Sequence, residues 1–278
     1  MKRLHGVLSA FLFTSISGAL DEKSNLDKRM KRGKEILKYG EVDSGHKIRY
    51  YDNYCLSYNQ RTKTPSWVSE HLNIKQLKDH QSHKRISFRR DADITEKFSS
   101  TNSDYTRSGW SRGHMAMADN SQHSKSAWES TFCYANVVPQ DFDNNNYFWN
   151  KIEYFCKSLC GKYSDVRIVS GPLWLPTEID GLGRRFVKYE VIGNNNVHVP
   201  THLFKVVLAE NESKDPDSDL ILGAFIVPNI PLEGEDLTPY QETLEKVERA
   251  AGLTFFPSAD RDRFKDLCSV ETCNLQPF

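Results

Sequence analysis

A net charge is missing from this sequence: its 278 residues carry 37 Lys and Arg against 37 Asp and Glu, a formal charge of zero at pH 7. No global field draws polyanions to it, which excludes a histone-like or tail-driven binder and leaves any polyanion contact to a local patch. Cysteine is sparse too. The six, Cys55, Cys133, Cys156, Cys160, Cys268 and Cys273, are too few and too scattered for a small disulfide scaffold, so mostly reduced, packed thiols are expected. Neither close pair, Cys156/Cys160 or Cys268/Cys273, has a second pair at finger spacing, which argues against structural zinc. There is no internal repeat, no low-complexity tract and no uninterrupted apolar run of the roughly 20 residues that span a membrane. What is present suffices for a sizeable core: 38% of residues are hydrophobic, in a length that suits one large or two modest domains and excludes disorder throughout.

Residues 1–20 carry Lys2, Arg3 and His5, then a stretch rich in Val, Leu, Phe and Ala, and no acid before Asp21. This reads as a targeting segment. Basic and hydroxyl residues without acids suit a mitochondrial presequence, whereas the compact apolar stretch ending in small residues suits secretion; the residues themselves favour neither. Residues 21–45, mixed in charge and poor in apolar anchors, read as an exposed lead-in.

Runs of β-branched and aromatic residues predict strands at 47–58, 131–138, 166–170, 186–192, 203–209 and 220–227, punctuated by Gly, Pro, Asn and Asp. They suit a mixed, largely antiparallel sheet in an α+β fold. One helix is predicted over 146–159, where Phe148, Trp149, Ile152, Phe155, Cys156 and Leu159 form a single buried stripe. A second is predicted over 239–251, opening at Pro239 after Thr238 and closed by Gly252.

The segment SGWSRGHMAMADN (108–120) can be read in two ways. Gly109-Trp110-Ser111-Arg112-Gly113 matches G-x-S-x-G, the elbow that exposes a serine nucleophile, with His198 or His202 as a distant base. The elbow needs an apolar strand directly before it, and residues 99–108 are almost wholly polar, so a serine hydrolase built on Ser111 is the alternative rather than the leading reading. The other reading centres on Arg112-Gly113-His114, followed 22 residues later by Asn136-Val137-Val138-Pro139-Gln140, then Asn145 and Glu153.

Taken together, SRGH, NVVPQDFDNN, WNKIE and LCSVETCNL resemble the DNA/RNA non-specific endonucleases of the ββα-metal class, most closely the exonuclease-G-like mitochondrial branch of the endonuclease G family. The likeness covers roughly residues 45–278. It implies a nuclease core over 46–235 and a C-terminal helical extension over 236–278 that shapes binding of substrate ends. By the same resemblance His114 is the general base, Arg112 lies near the phosphate, and Asn145 is the single direct protein ligand of the metal. Glu153 orders water around that metal, and Asn136 supports His114 and the metal shell. Ser111 stands where many members have Asp, a departure that the exonuclease-like branch shares. A further family arginine falls by ungapped alignment on His83, with Arg85 as a nearby substitute. The implied cofactor is Mg2+, with Mn2+ as a substitute, and the implied partners are DNA, RNA and a second copy in a homodimer. Endonuclease and 5′ to 3′ exonuclease activity, in mitochondria, complete what the resemblance implies. A nucleic-acid-binding or scaffolding protein with a decayed site would be expected to have lost its base or its ligand, and both are present.

The chemistry of the residues agrees. Histidine titrates near neutrality and can take a proton from water. Magnesium prefers oxygen ligands and keeps several waters, so one neutral amide oxygen suffices when the substrate phosphate supplies charge. On a regular helix, the eight residues from Asn145 to Glu153 turn about 80° past two full turns, so both are expected to face one cleft.

Overall fold

The computed structural model describes Met30 and residues 46–84, 86–211 and 218–275. The expected targeting segment 1–20, the lead-in 21–45 apart from Met30, and Arg85 lie outside the described residues.

Strands β1 (Ile48–Tyr50), β2 (Tyr54–Asn59) and β3 (Thr64–Leu72) form a meander. Strands β4 (Ser111–His114) and β5 (Val137–Gln140) pair apart from it as an antiparallel ribbon, and β6 (Asp165–Leu173) returns to β3. Two small ladders follow, β7 (Glu178–Ile179) with β8 (Arg185–Phe186) and β9 (Val191–Ile192) with β10 (Val197–His198). The long β11 (His202–Glu210) and β12 (Leu220–Pro228) and the short β13 (Phe264–Asp266) complete a seven-stranded sheet of order β1-β2-β3-β6-β11-β12-β13. Every pair in it is antiparallel except β12 with β13. The principal helices are α1 (Lys125–Thr131), α2 (Trp149–Leu159) and α3 (Leu244–Ala251). This is the mixed, largely antiparallel sheet with flanking helices that the sequence predicts.

Strand β11 shows why the sheet is covered on both faces. Successive side chains alternate sides, so Leu203 and Val207 join Ile168, Trp149, Ile152 and Cys156 in the core, which takes in α2. Phe204 and Val206 join Val169, Ala224, Val247 and Phe255 on the other side, under α3. A strand buried on both faces needs an almost continuous apolar run; Lys205 is the exception here, and its placement bears on the site below. The described residues from 46 to 275 pack as one compact unit, and β13 enters the main sheet beside β12.

Four expectations are corrected. Residues 131–138 are mostly not a strand: α1 runs to Thr131, a 3-10 turn covers Tyr134–Asn136, and only Val137 onward pairs. Short apolar runs fit helix or strand equally, and the Ser124 hydroxyl, accepting from the Ala127 N–H, caps the helix. The run 186–192 yields only the edges of two-residue ladders, and Phe186, Val187, Tyr189 and Val191 stay exposed. The segment expected to open a helix at Pro239 forms a 3-10 turn over Thr238–Tyr240; the α-helix proper starts after Thr243, whose hydroxyl accepts from the Lys246 N–H, and ends as predicted at Gly252 with φ of +67°. Finally, Cys268 and Cys273 form a disulfide, because the short helix Leu267–Val270 brings their Cα atoms to 5.2 Å. The other four cysteines are free, and Cys133, Cys156 and Cys160 are buried as expected.

Candidate active site

Strand β4, the loop that leads into it and the turn between β5 and α2 line a cleft of about 750 Å³. Arg112 and His114 line it from β4, and Asn145 and Asn146 from the turn before α2. The ribbon register places Arg112 opposite Pro139 and His114 opposite Val137. Gly113, between them, lies against Gln140: a Cβ there would stand 1.9 Å from Gln140 Oε1. That close approach explains the glycine of the R-G-H triplet.

The three candidate asparagines are not equivalent. Asn136 is fully buried, and its Oδ1 accepts from the Ala116 N–H at 2.9 Å while its Nδ2 donates to the carbonyls of Ala116 and Thr131. Its backbone carbonyl accepts from the Met115 N–H. Asn136 therefore staples the chain directly after His114 and has no amide oxygen to spare. Asn144 is equally committed: its Nδ2 donates to the carbonyls of Pro228 and Ile230, and its Oδ1 accepts from Gln140 Nε2 at 2.8 Å. The side chain of Asn145 makes no hydrogen bond among the described residues, and it lines the cleft.

The turn that presents Asn145 is π-helical over Asn144–Phe148, with the Trp149 N–H donating to the Asn144 carbonyl five residues back. Single π turns of this kind are frequent at functional sites. With more residues per turn than an α-helix, the π turn brings Asn145 closer to the helix face of Glu153, although Glu153 is not among the residues that line the cleft. It lies on the sheet-facing side of α2, buried, with Oε1 lacking a hydrogen-bond partner. Burial pushes its carboxyl up to about 8, against the opposing pull of Lys205. The same burial raises Glu70 of β3 to about 7, although Lys205 and the Asn120 side chain stabilise its carboxylate. Lys205, 1% exposed, donates to Ser170 Oγ at 2.8 Å and sits 4.4 Å from the Trp149 ring. A buried acid–lysine–acid group thus lies behind the cleft, and no sequence pattern pointed to Glu70 or Lys205.

Aromatic rings wall the cleft. Phe88 lies 5.2 Å and Phe132 5.3 Å from the His114 ring. The Arg112 guanidinium stacks over Tyr105 and Phe88 and donates to the Asn102 side chain, which leaves its buried Nε unpaired. Arg107, exposed at the cleft wall, holds a left-handed backbone with φ of +59° and has no ion-pair or hydrogen-bond partner among the described residues. A non-glycine residue there stores strain, a feature found at functional sites. His83 is elsewhere: it packs on Trp128 and against the Gln122 carbonyl, and it does not line the cleft. Asp91 takes the Tyr51 hydroxyl and faces Arg49 at 3.5 Å, a structural role.

Ser111 begins a strand rather than an elbow, and its hydroxyl donates to the Gln140 carbonyl at 2.8 Å. His198 packs on Tyr189, and His202 faces the Thr201 hydroxyl, so neither histidine is hydrogen-bonded to it. The alternative of a serine nucleophile loses its geometry. In the C-terminal segment, Phe255 is buried against Phe204, Arg261 pairs with Glu248, Arg263 donates to the Ser218 carbonyl, and Lys265 is 3.9 Å from Asp219. None of them lines the cleft.

No group of three or more His, Cys, Asp or Glu gathers among the described residues as a self-sufficient metal cage. What the cleft offers instead, an uncommitted amide oxygen with an unpartnered buried carboxylate oxygen behind it, fits a hydrated divalent cation that takes few protein ligands. No helix among the described residues is long and apolar enough to cross a membrane.

Residues 32–262 match the model of the DNA/RNA non-specific endonuclease family. Similar relatives include the mitochondrial nuclease EXOG of Danio rerio, 44% identical over 245 residues that cover 87% of this chain and 70% of the relative. Its human counterpart is also 44% identical, with 87% and 66% covered, and the mitochondrial nuclease of Saccharomyces cerevisiae is 37% identical, with 86% and 74% covered. Among solved structures, a chain from the crystal structure of the EndoG/EndoGI complex superposes with a TM-score of 0.73 at 36% identity, covering 84% of this chain and 95% of that one.

Proposed function

The chain belongs to the DNA/RNA non-specific endonuclease family, a family of nucleic-acid-hydrolysing enzymes, and on that premise we propose that its cleft hydrolyses phosphodiester bonds of DNA and RNA with His114 as general base and a divalent cation at Asn145. The observation that carries this reading is the division of labour among the asparagines. Two are spent on holding the backbone around His114 and Gln140, and the third offers its oxygen to the cleft beside the histidine.

Each residue has a task that its surroundings support. Asn136 fixes the chain after His114, so the imidazole meets the cleft in one orientation and can take the proton of the attacking water. Arg112, clamped by Asn102 and two rings, spreads the charge that develops on the phosphoryl oxygens. Arg107 supplies a second cation to a neighbouring phosphate. Asn145 would hold the cation, Mg2+ or in its stead Mn2+, with Glu153 ordering its hydration. When bound, that ion supplies Lewis-acid stabilisation of the phosphoryl oxygens and the leaving group.

The reading extends to combined endonuclease and 5′ to 3′ exonuclease action, a homodimer and a mitochondrial address, the last supported by the names of the relatives. An influence of the C-terminal segment on substrate choice is best supported at its start, where Tyr240 packs edge-on against Phe148 behind the Asn145 turn. The test is incubation of the purified protein with circular DNA, single-stranded DNA and RNA, with and without a chelator. Cleavage that the chelator abolishes and Mg2+ restores is expected; cleavage indifferent to chelation, or none on any substrate, would refute the reading.

A further inference from the structure

Two aromatic side chains on the cleft have no part in the chemistry above. Phe142, 62% exposed, stands on the turn after β5. That turn is rigid: the Asp141 N–H donates to Asn229 Oδ1, the Asp141 carboxylate accepts from the Asn144 N–H, and the Asp141 carbonyl accepts from the Asn145 N–H. A phenyl ring is thus held out into solvent three residues before the candidate metal ligand. Trp110, two residues before Arg112, also lines the cleft. Its body packs with the cluster of Ile192 and Val197, and its indole N–H donates to Glu190 at 2.9 Å, which fixes the ring plane.

We propose that Phe142 and Trp110 form a base-stacking subsite beside the scissile phosphate, so that the substrate class of this cleft is nucleic acid with unpaired or frayed nucleotides. The inference rests on the nuclease reading and deepens it. Every base has a flat π-face, so stacking is tolerant of sequence, and it makes no contact with the 2′ position, so it suits DNA and RNA alike. A base buried in a duplex stack is not available to such a ring, whereas a single strand or an opened end is. Phe142 recovers its exposed apolar surface only when a base lies on it. Trp110 is held in place before binding, so little order is lost on contact.

The experiment compares cleavage of a single-stranded oligonucleotide with that of an equal-length strand carrying tetrahydrofuran abasic residues, by the full chain and by Phe142→Ala and Phe142→Trp. Phe142 is exposed, so the folded state is not at stake. Phe142→Ala is expected to lose about tenfold in kcat/KM on the base-bearing strand and to be unchanged on the abasic one, and Phe142→Trp to restore the loss. An equal loss on both strands, or none on the base-bearing strand, overturns the stacking subsite while leaving the nuclease reading in place. Failure of the unaltered protein to cleave either strand overturns both.

Discussion

Gly113 and Gln140 share a space that admits no further atom: a Cβ on the glycine would lie 1.9 Å from Oε1 and 2.7 Å from Cβ of the glutamine. In the β4–β5 ribbon Gly113 pairs with Val138 and Gln140 with Ser111, so the glutamine side chain reaches diagonally across to the glycine, and the same side chain donates to Asn144 at the start of the π turn. One side chain therefore sets the distance between the strand that carries His114 and the turn that carries Asn145. Gly113→Ala is expected to push the ribbon apart and to cost both stability and activity. A melting temperature lowered by several degrees together with at least tenfold less cleavage is the expected result, in keeping with about 1–3 kcal/mol for overpacking.

His114→Ala should remove most turnover and leave substrate binding intact. A positioned base is worth on the order of 10²- to 10⁴-fold. Single-turnover rates and a separate binding titration distinguish the two, and a near-normal rate would remove His114 from the mechanism.

The asparagines should separate by phenotype. Asn144→Ala leaves the carbonyls of Pro228 and Ile230 and the Gln140 amide without their partner, so it should destabilise the fold, at about 1–3 kcal/mol for each buried group left unsatisfied. Asn145→Ala breaks no hydrogen bond among the described residues and should melt as the unaltered protein does. Calorimetry on the two variants checks this directly.

Glu70 and Glu153 give the fold a pH signature. Burial raises both above the ordinary carboxylate range, to about 7 and about 8, so between roughly pH 4.5 and 8 the native state binds more protons than the unfolded chain. Their contribution is fully present below the unfolded value and is lost as pH rises through the folded values. Thermal stability should therefore decline from pH 5 to pH 8, by an amount on the order of 5 °C, and Glu70→Gln should flatten that decline. A variant with an unchanged slope would show that this acid does not titrate in the window.

The cations of the C-terminal segment are expected to be neutral for end recognition. Arg261 and Lys265 face acids, and Arg263 holds the Ser218 carbonyl. Changing all three to Ser should leave the ratio of linear to circular DNA cleavage where it was. A selective fall on linear substrate would assign these residues to substrate binding.

Much of this was legible in the sequence, for physical reasons that can be named. The long strands β6, β11 and β12 and the stripe on α2 are periodic and apolar, and they fold where the pattern says. His114, Arg112 and Asn145 were singled out by the family resemblance rather than by any periodicity, and all three line one cleft. What escaped was set by partners far along the chain. The strand character of Ser111–His114 is polar in sequence and exists only because Val137–Gln140 pairs with it. No residue type announces the π turn before α2, which winds less per residue than an α-helix and so sets Asn145 closer to the helix face of Glu153 than a regular count gives. Lys205 looked like a polar interruption of a strand, yet it is matched by acids from β3 and α2. Arg107 and Phe142 carried no pattern at all; only the folded cleft singles them out.

A divalent cation held by Asn145 beside His114 is the central claim, and the rate of phosphodiester cleavage against Mg2+ concentration tests it most directly. The unaltered protein should show saturable dependence, and Asn145→Ala should move the midpoint upward by at least about tenfold, the range expected when a metal site loses a contact that orders it. His114→Ala should lose rate at a similar midpoint. An Asn145→Ala midpoint that coincides with that of the unaltered protein would contradict the claim.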